Sequence, residues 1–206
     1  MRMDGIKWLF FDVGSTLVNE SLAYEHRFRD IAEAVDTGFE HVYNIAMLFY
    51  RQNRKGDKET AKLLNVALPQ WHTEDERLYA DAEGCLKELH TRYKIGIIAN
   101  QLPGARERLA QYGILPYVDL IVVSAEEGVS KPDKRIFEIA LHRSNCTPEQ
   151  AVMIGDRIDN DILPAKAMGM HTVWIRQGFG RFWTVTQDTE RPDKTVENLM
   201  ELCRIF

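Results

Sequence analysis

Asp12, Lys131, Asp156 and Asp161 are the residues of this chain whose types and spacing can do chemistry together. Asp12 closes the apolar run Ile6-Lys7-Trp8-Leu9-Phe10-Phe11, which reads as a strand buried on both faces. Asp156 closes Ala151-Val152-Met153-Ile154-Gly155 in the same way, and Asp161 follows five residues later at the entrance of a helix. Lys131-Pro132 lies in the loop behind a strand that ends on Ser124, and the strand Ile95–Ala99 ends on Asn100. In a parallel sheet these ends share one rim, where open α/β folds bind their ligands. Three carboxylates and an ammonium would then meet in one pocket. Clustered carboxylates repel unless a cation joins them or one takes a proton. A hard divalent ion such as Mg²⁺ suits oxygen ligands of this kind, together with waters and a substrate phosphate. Asp12 and Asp156 read as direct ligands, and Asp161 as a ligand or the holder of a metal-bound water. Lys131 would offset negative charge on Asp12 and on a phosphoryl group. Behind Asp12, the small residues Gly14, Ser15 and Thr16 would let backbone N–H groups approach an anion. Taken singly, each residue has a plainer reading: Asp12 caps a turn, Asp161 caps a helix, Lys131 is solvated.

The elements that must position these residues alternate. After the first strand, residues 21–35 have helical spacing, with Leu22, Phe28, Ile31 and Ala32 for one face. Thr37 is placed to cap a second helix carrying Val42, Ile45, Ala46, Leu48 and Phe49, which Gly56-Asp57 breaks. Residues 58–68 predict a third helix and 73–78 a fourth. A strandless block of about 60 residues is too long for a simple crossover, so it reads as an inserted helical subdomain. Helix–strand alternation resumes from Ala82, with strands at Ile95–Ala99, Leu120–Val123, Ala151–Ile154 and His171–Ile175 and a closing helix over 196–203. The expected fold class is α/β. A Rossmann-like parallel sheet with helices on both faces spans 1–18 and 82–206, and an all-helical insertion spans 19–81.

Composition narrows the partners. The chain has 206 residues, 45% hydrophobic and 28% charged, with a net charge of -5 and dispersed Lys and Arg, which argues against a nucleic-acid surface. Cys85, Cys146 and Cys203 lie far apart, as in a reducing compartment. The start, Met1-Arg2-Met3-Asp4-Gly5, has no secretory apolar region, and no run approaches a membrane span. A cytoplasmic protein, monomer or homodimer, is expected.

Asp12-Val13-Gly14-Ser15-Thr16-Leu17, Lys131-Pro132 and Gly155-Asp156-Arg157-Ile158-Asp159-Asn160-Asp161 resemble motifs one, three and four of the haloacid dehalogenase-like (HAD) hydrolase superfamily. Ile97-Ile98-Ala99-Asn100 resembles the second motif less closely. The resemblance spans nearly the whole chain, and the helical insertion falls where that family places its cap. It implies Mg²⁺-dependent phosphoryl transfer from a small phosphorylated molecule. Asp12 would attack phosphorus to form an aspartyl-phosphate, Lys131 would stabilise the phosphoryl group, and Asn100 would contact its oxygens. Two positions depart from the pattern. Gly14 replaces the family's second Asp, the general acid and base, although its carbonyl could still ligate Mg²⁺; such a loss costs about 10²–10⁴-fold. Ala99 replaces a Ser or Thr that hydrogen-bonds the phosphoryl group. Three readings follow: a phosphohydrolase, either of substrates with good leaving groups such as acyl or aryl phosphates or with the missing proton relay supplied by Ser15, Glu20 or a cap residue; a weakened relative that binds a phosphorylated ligand or a protein partner; or different chemistry on the same fold. The resemblance also extends to phosphonate-cleaving relatives, which use a cap lysine, and Lys55, Lys58 and Lys62 lie in the insertion. Arg27, Arg51, Arg54, Lys55, Trp71 and His72 are the insertion's candidates for selecting a substrate. Gly178–Trp183 borders the pocket or packs on a second subunit.

Overall fold

A computed structural model describes residues 5–206; Met1–Asp4, and the reading of the N-terminus that fell on them, lie outside the described residues. The chain runs β1 (Trp8–Phe11), β2 (Val18–Asn19), α1 (Ser21–Ala34), α2 (Phe39–Tyr50), α3 (Gly56–Leu63), β3 (Arg77–Leu78), α4 (Ala82–Leu89), β4 (Lys94–Ala99), α5 (Ala105–Gln111), β5 (Leu120–Val123), α6 (Ser124–Glu127), α7 (Lys134–Ser144), β6 (Ala151–Gly155), α8 (Leu163–Ala167), β7 (His171–Ile175), β8 (Lys194–Val196) and α9 (Leu202–Ile205). Six strands form one parallel sheet in the order β5-β4-β1-β6-β7-β8. β1 lies inside it, between β4 and β6, and its residues are apolar on both faces for that reason. Leu9 and Phe11 point into a core shared with α4, α5 and α9. Phe10 points the other way, into a core built with α7 and α8. The fold is the α/β, Rossmann-like sheet with helices on both faces that the alternation predicts.

The helices α1–α3 bury a separate core of Phe28, Ile31, Val42, Ala46 and Tyr50. Within the insertion the structure corrects four local readings. Leu22 and Leu48 are more than half exposed, and Ala23 and Met47 take the inner faces instead. Gly38, rather than Thr37, precedes α2. Gly56-Asp57 opens α3 instead of breaking α2, with Asp57 and Glu59 in the first turn where the helix dipole favours acids; the helix ends before Asn65, which adopts a left-handed backbone. Residues 73–78 are a short 3₁₀ turn and a strand, because Arg77–Leu78 pairs antiparallel with Val18–Asn19. At the C-terminus, residues 196–203 begin as the edge strand β8 and close as a 3₁₀ turn and α9. Three residues carry too little alternation to announce a strand. No described helix is long and apolar enough to cross a membrane.

The tail loop Gly178–Phe182 reaches from the sheet domain into the helical core. The Phe179 ring stacks on Tyr50 at 4.5 Å and meets the edge of Tyr24 at 4.9 Å. Asn53 and Thr184 exchange two hydrogen bonds, at 2.7 and 2.9 Å. Trp183 is buried beneath the Arg157 guanidinium, so these aromatics serve contacts within the chain.

On β4, Gly96 pairs with Phe10 of β1, and a Cβ at Gly96 would lie 2.4 Å from the Phe10 ring. Gly96→Ala should therefore lower stability by about 1–3 kcal/mol through overpacking, and Phe10→Ala by about 3–5 kcal/mol through the cavity it leaves. Equilibrium urea unfolding measures both.

Candidate active site

Asp12 is held one residue beyond β1 by its N–H, which donates to the Ile154 carbonyl at 2.9 Å. That bond ties the tip of β1 to the tip of β6 and brings Asp12 beside Asp156. The chain after Asp156 turns through one wide helical turn, Ile158–Ile162, whose N-terminal Arg157 N–H donates to the Asp161 carboxylate at 3.0 Å. The turn folds Asp161 back, so that Asp12, Asp156 and Asp161 each offer an oxygen within 4.8 Å of the others. Lys131 enters from the opposite side. Its ammonium donates to Asp12 Oδ1 at 2.7 Å and to Asp161 Oδ1 at 2.6 Å, and its side chain is 2% exposed. At the end of β4, Asn100 clamps the Lys131 backbone: Nδ2 donates to its carbonyl at 2.9 Å and Oδ1 accepts its N–H at 2.8 Å. Asn100 thus sets Lys131 in place first, with one amide N–H left over for a ligand.

Electrostatics follow from burial. Burial, then the Asp161 and Asp12 charges, push the Asp156 carboxyl well above the usual range. Burial pushes Asp161 up to about 6, against the pull of Lys131. For Lys131, burial favours the neutral amine, but Asp12 and Asp161 outweigh it and hold the ammonium above its usual range. One ammonium does not neutralise three carboxylates. Among the described residues, the Asp156 carboxylate has no hydrogen-bond donor. An all-oxygen donor set with an uncompensated buried carboxylate fits a hard divalent cation.

The other predicted residues divide. Gly14 and Ser15 line the same cavity as Asp12, Asn100, Lys131 and Asp156, a space of about 340 Å³ between the strand tips and the helical insertion. Thr16 stands behind it, with its N–H turned toward the Val13 carbonyl at 3.3 Å and its buried hydroxyl unpartnered. Ser124 is occupied by the Gln101 backbone, at 3.1 and 3.2 Å. From the insertion, Arg27, Lys55, Lys58 and Trp71 line the cavity. Lys62 and Arg51 are exposed, Arg54 pairs with Glu59, and His72 bonds Asp30 and Glu74. Tyr24, Tyr50, Asp57, Glu76 and Arg157 also reach it and carried no sequence signal of their own. One was available: Glu20, Tyr24 and Arg27 recur at i, i+4 and i+7, which is one face of a helix.

Glu20 occupies the place that Gly14 leaves. A Cβ at Gly14 would lie 2.4 Å from Glu20 Oε1, so a side chain there and this Glu20 rotamer exclude each other. The Ser15 hydroxyl, on a left-handed backbone, donates to Glu20 Oε2 at 2.7 Å. Burial, with Glu76, Asp12 and Asp57 nearby, pushes the Glu20 carboxyl up to about 8 against that hydrogen bond.

The haloacid dehalogenase-like hydrolase family model matches residues 6–169. The chain belongs to this family. Among HAD relatives, a glyceraldehyde 3-phosphate phosphatase of Methanocaldococcus jannaschii is 30% identical over 97% of this chain and 96% of its own length. A phosphoserine phosphatase of Thermus thermophilus is 29% identical over 86% of this chain and 63% of its own. A HAD phosphatase from Thermococcus onnurineus superposes with a TM-score of 0.66 at 24% identity, covering 97% of both chains. A 2-haloacid dehalogenase from Pseudomonas syringae does so with 0.64 at 20% identity, over 97% of both. The HAD fold thus carries both chemistries, and the site must decide between them.

If the three carboxylates hold a metal, Mg²⁺ should bind in calorimetry and raise the melting temperature. Asp156→Asn should remove both effects.

Proposed function

We propose that this chain is a Mg²⁺-dependent phosphatase of small phosphorylated metabolites that works through an aspartyl-phosphate on Asp12. The observation that carries the reading is the pairing of Asp12 with the Lys131 ammonium at 2.7 Å, beside Asp156 and Asp161 and open to a 340 Å³ cavity. Asp156, Asp161, Asp12 Oδ and the Gly14 carbonyl would hold the ion, which supplies positive charge against the phosphoryl oxygens. Lys131 orients the Asp12 carboxylate and leaves one oxygen free to attack. Asn100 and the backbone of Ser15 receive the phosphoryl oxygens, and Thr16 supports that turn from behind. The division into a sheet domain, 1–18 with 82–206, and a helical cap, 19–81, belongs to the same reading: the cap excludes water and selects the substrate.

Glu20 supplies the proton relay that Gly14 cannot. In the first step an Asp12 oxygen bonds to phosphorus, the phosphorus–oxygen bond to the leaving group breaks, and the Glu20 proton goes to that departing oxygen. In the second, Glu20 takes a proton from water, the water oxygen attacks phosphorus, and the Asp12 carboxylate is released with inorganic phosphate. A carboxyl raised to about 8 carries its proton into the first step near neutral pH. A carboxyl held in the vacated space of residue 14 favours turnover over the binding-only alternative.

Phosphate release from glycerol 3-phosphate and from acetyl phosphate tests both parts. Asp12→Asn should abolish release from both, by at least about 10³-fold. Glu20→Gln should cost about 10²–10⁴-fold on glycerol 3-phosphate and less on acetyl phosphate, whose leaving group departs without a proton. Equal losses on the two substrates would remove Glu20 from the relay.

A further inference from the structure

Six cationic side chains line the cavity: Arg27, Lys55, Lys58, Arg108, Lys131 and Arg157. Four are already held. Arg27 donates to Asp57 at 2.7 Å, with its guanidinium 4.5 Å from the Trp71 ring centre. Lys131 lies between Asp12 and Asp161. Arg157 donates to Asp159 at 2.8 Å and covers Trp183. Arg108 donates to the carbonyls of Leu102 and Pro103 at 2.8 Å and to Gln101 at 3.0 Å.

Lys55 and Lys58 differ. Among the described residues neither has a carboxylate within ion-pair distance. They flank the start of α3, three residues apart, so both present to one side of the cavity. Lys55 is half-buried: burial, then the Arg157 and Lys58 charges, hold its ammonium below the usual range against the pull of Asp159 and Asp57. Two ammonium groups that line the cavity without a carboxylate of their own are free to take an anion. The phosphoryl end of the site has its own cation in Lys131. Lys55 and Lys58 are therefore free for a second anion on the same ligand. A cavity of about 340 Å³ is near the lower limit for small-molecule sites, which fits a short ligand.

We propose that the substrate is a small phosphomonoester bearing a second anionic group, a carboxylate or another phosphate, which Lys55 and Lys58 bind. The proposal rests on the phosphatase reading. Lysines act here as point charges and do not demand the planar fork that arginine would impose.

The test compares kcat/KM for glycerol 3-phosphate, 3-phosphoglycerate and 1,3-propanediol bisphosphate, whose far ends are neutral, carboxylate and phosphate. The wild type should prefer at least one of the two acids over glycerol 3-phosphate by about tenfold or more, and which acid wins names the anion. Lys55→Met, Lys58→Met and the double variant should erase that preference, with the loss in KM, while Lys55→Arg should keep it. Lys58 is exposed, so its variant reports even if Lys55→Met folds poorly. Equal rates for all three in the wild type, or a preference that survives in the double variant, would overturn the proposal. If neither acetyl phosphate nor any of the three compounds is turned over by the wild type, the phosphatase reading fails by itself. Calorimetric affinities of the same three compounds then still decide: tighter acids that the double variant loses support the subsite, and equal affinities end it.

Discussion

Three carboxylates within 4.8 Å of one another, Asp156 and Asp161 buried and Asp12 half-buried, are the constraint that the rest of this structure answers to. Removing one partner from a buried ion pair typically costs about 3–5 kcal/mol, so the carboxylates must be built with their counter-charge in place. Lys131 is the counter-charge the chain itself provides, and its ammonium bridges Asp12 to Asp161. Holding a lysine that deep requires a rigid loop, and the two hydrogen bonds from Asn100 make it rigid. Asn100 is in turn fixed by β4, which pairs with β1 behind Asp12. Trp174 adds a further brace, donating to the Asp156 carbonyl at 2.8 Å. Four neighbouring strand tips thus act as one support, and the parallel register is what aligns them.

The helical insertion is anchored to that support from two sides. The β2–β3 pair joins it where the chain leaves and re-enters the sheet domain. Opposite, Phe179 fills a slot between Tyr24 and Tyr50, and Asn53 bonds Thr184. The face of α1 that looks into the cavity is polar, with Glu20, Tyr24 and Arg27, while its inner face is apolar, with Phe28 and Ile31. One helix therefore builds the insertion's core and the roof of the site.

Gly14 and Glu20 show how a departure from a family pattern can be local rather than global. The missing side chain at 14 leaves a space, and the carboxyl of Glu20 occupies it from the first turn of the insertion. A carboxyl thus returns to the same region by a different route along the backbone. Its raised affinity for a proton comes from burial and from the carboxylates around it, so the crowding of acids at the site also tunes this group.

The sequence by itself determined the alternation of strands and helices, because a short continuous apolar run and an amphipathic helix are local patterns that burial enforces. It also determined which carboxylates end which strands, hence that Asp12, Asp156, Asp161 and Lys131 would share a rim. It could not show that Arg77–Leu78 is a strand, since its partner Val18–Asn19 lies some 60 residues away. Nor could it show β8, which takes its form from pairing with β7. Leu22 and Leu48 looked like core residues and are exposed, because the phase of a helix is set by what it packs against. The tertiary structure alone decided that Asn100 clamps Lys131, that Thr16 stands behind the cavity, and that Glu20 fills the space at Gly14. Each of these is a matter of which side chain arrives first at a point in space, and spacing along the chain does not specify that.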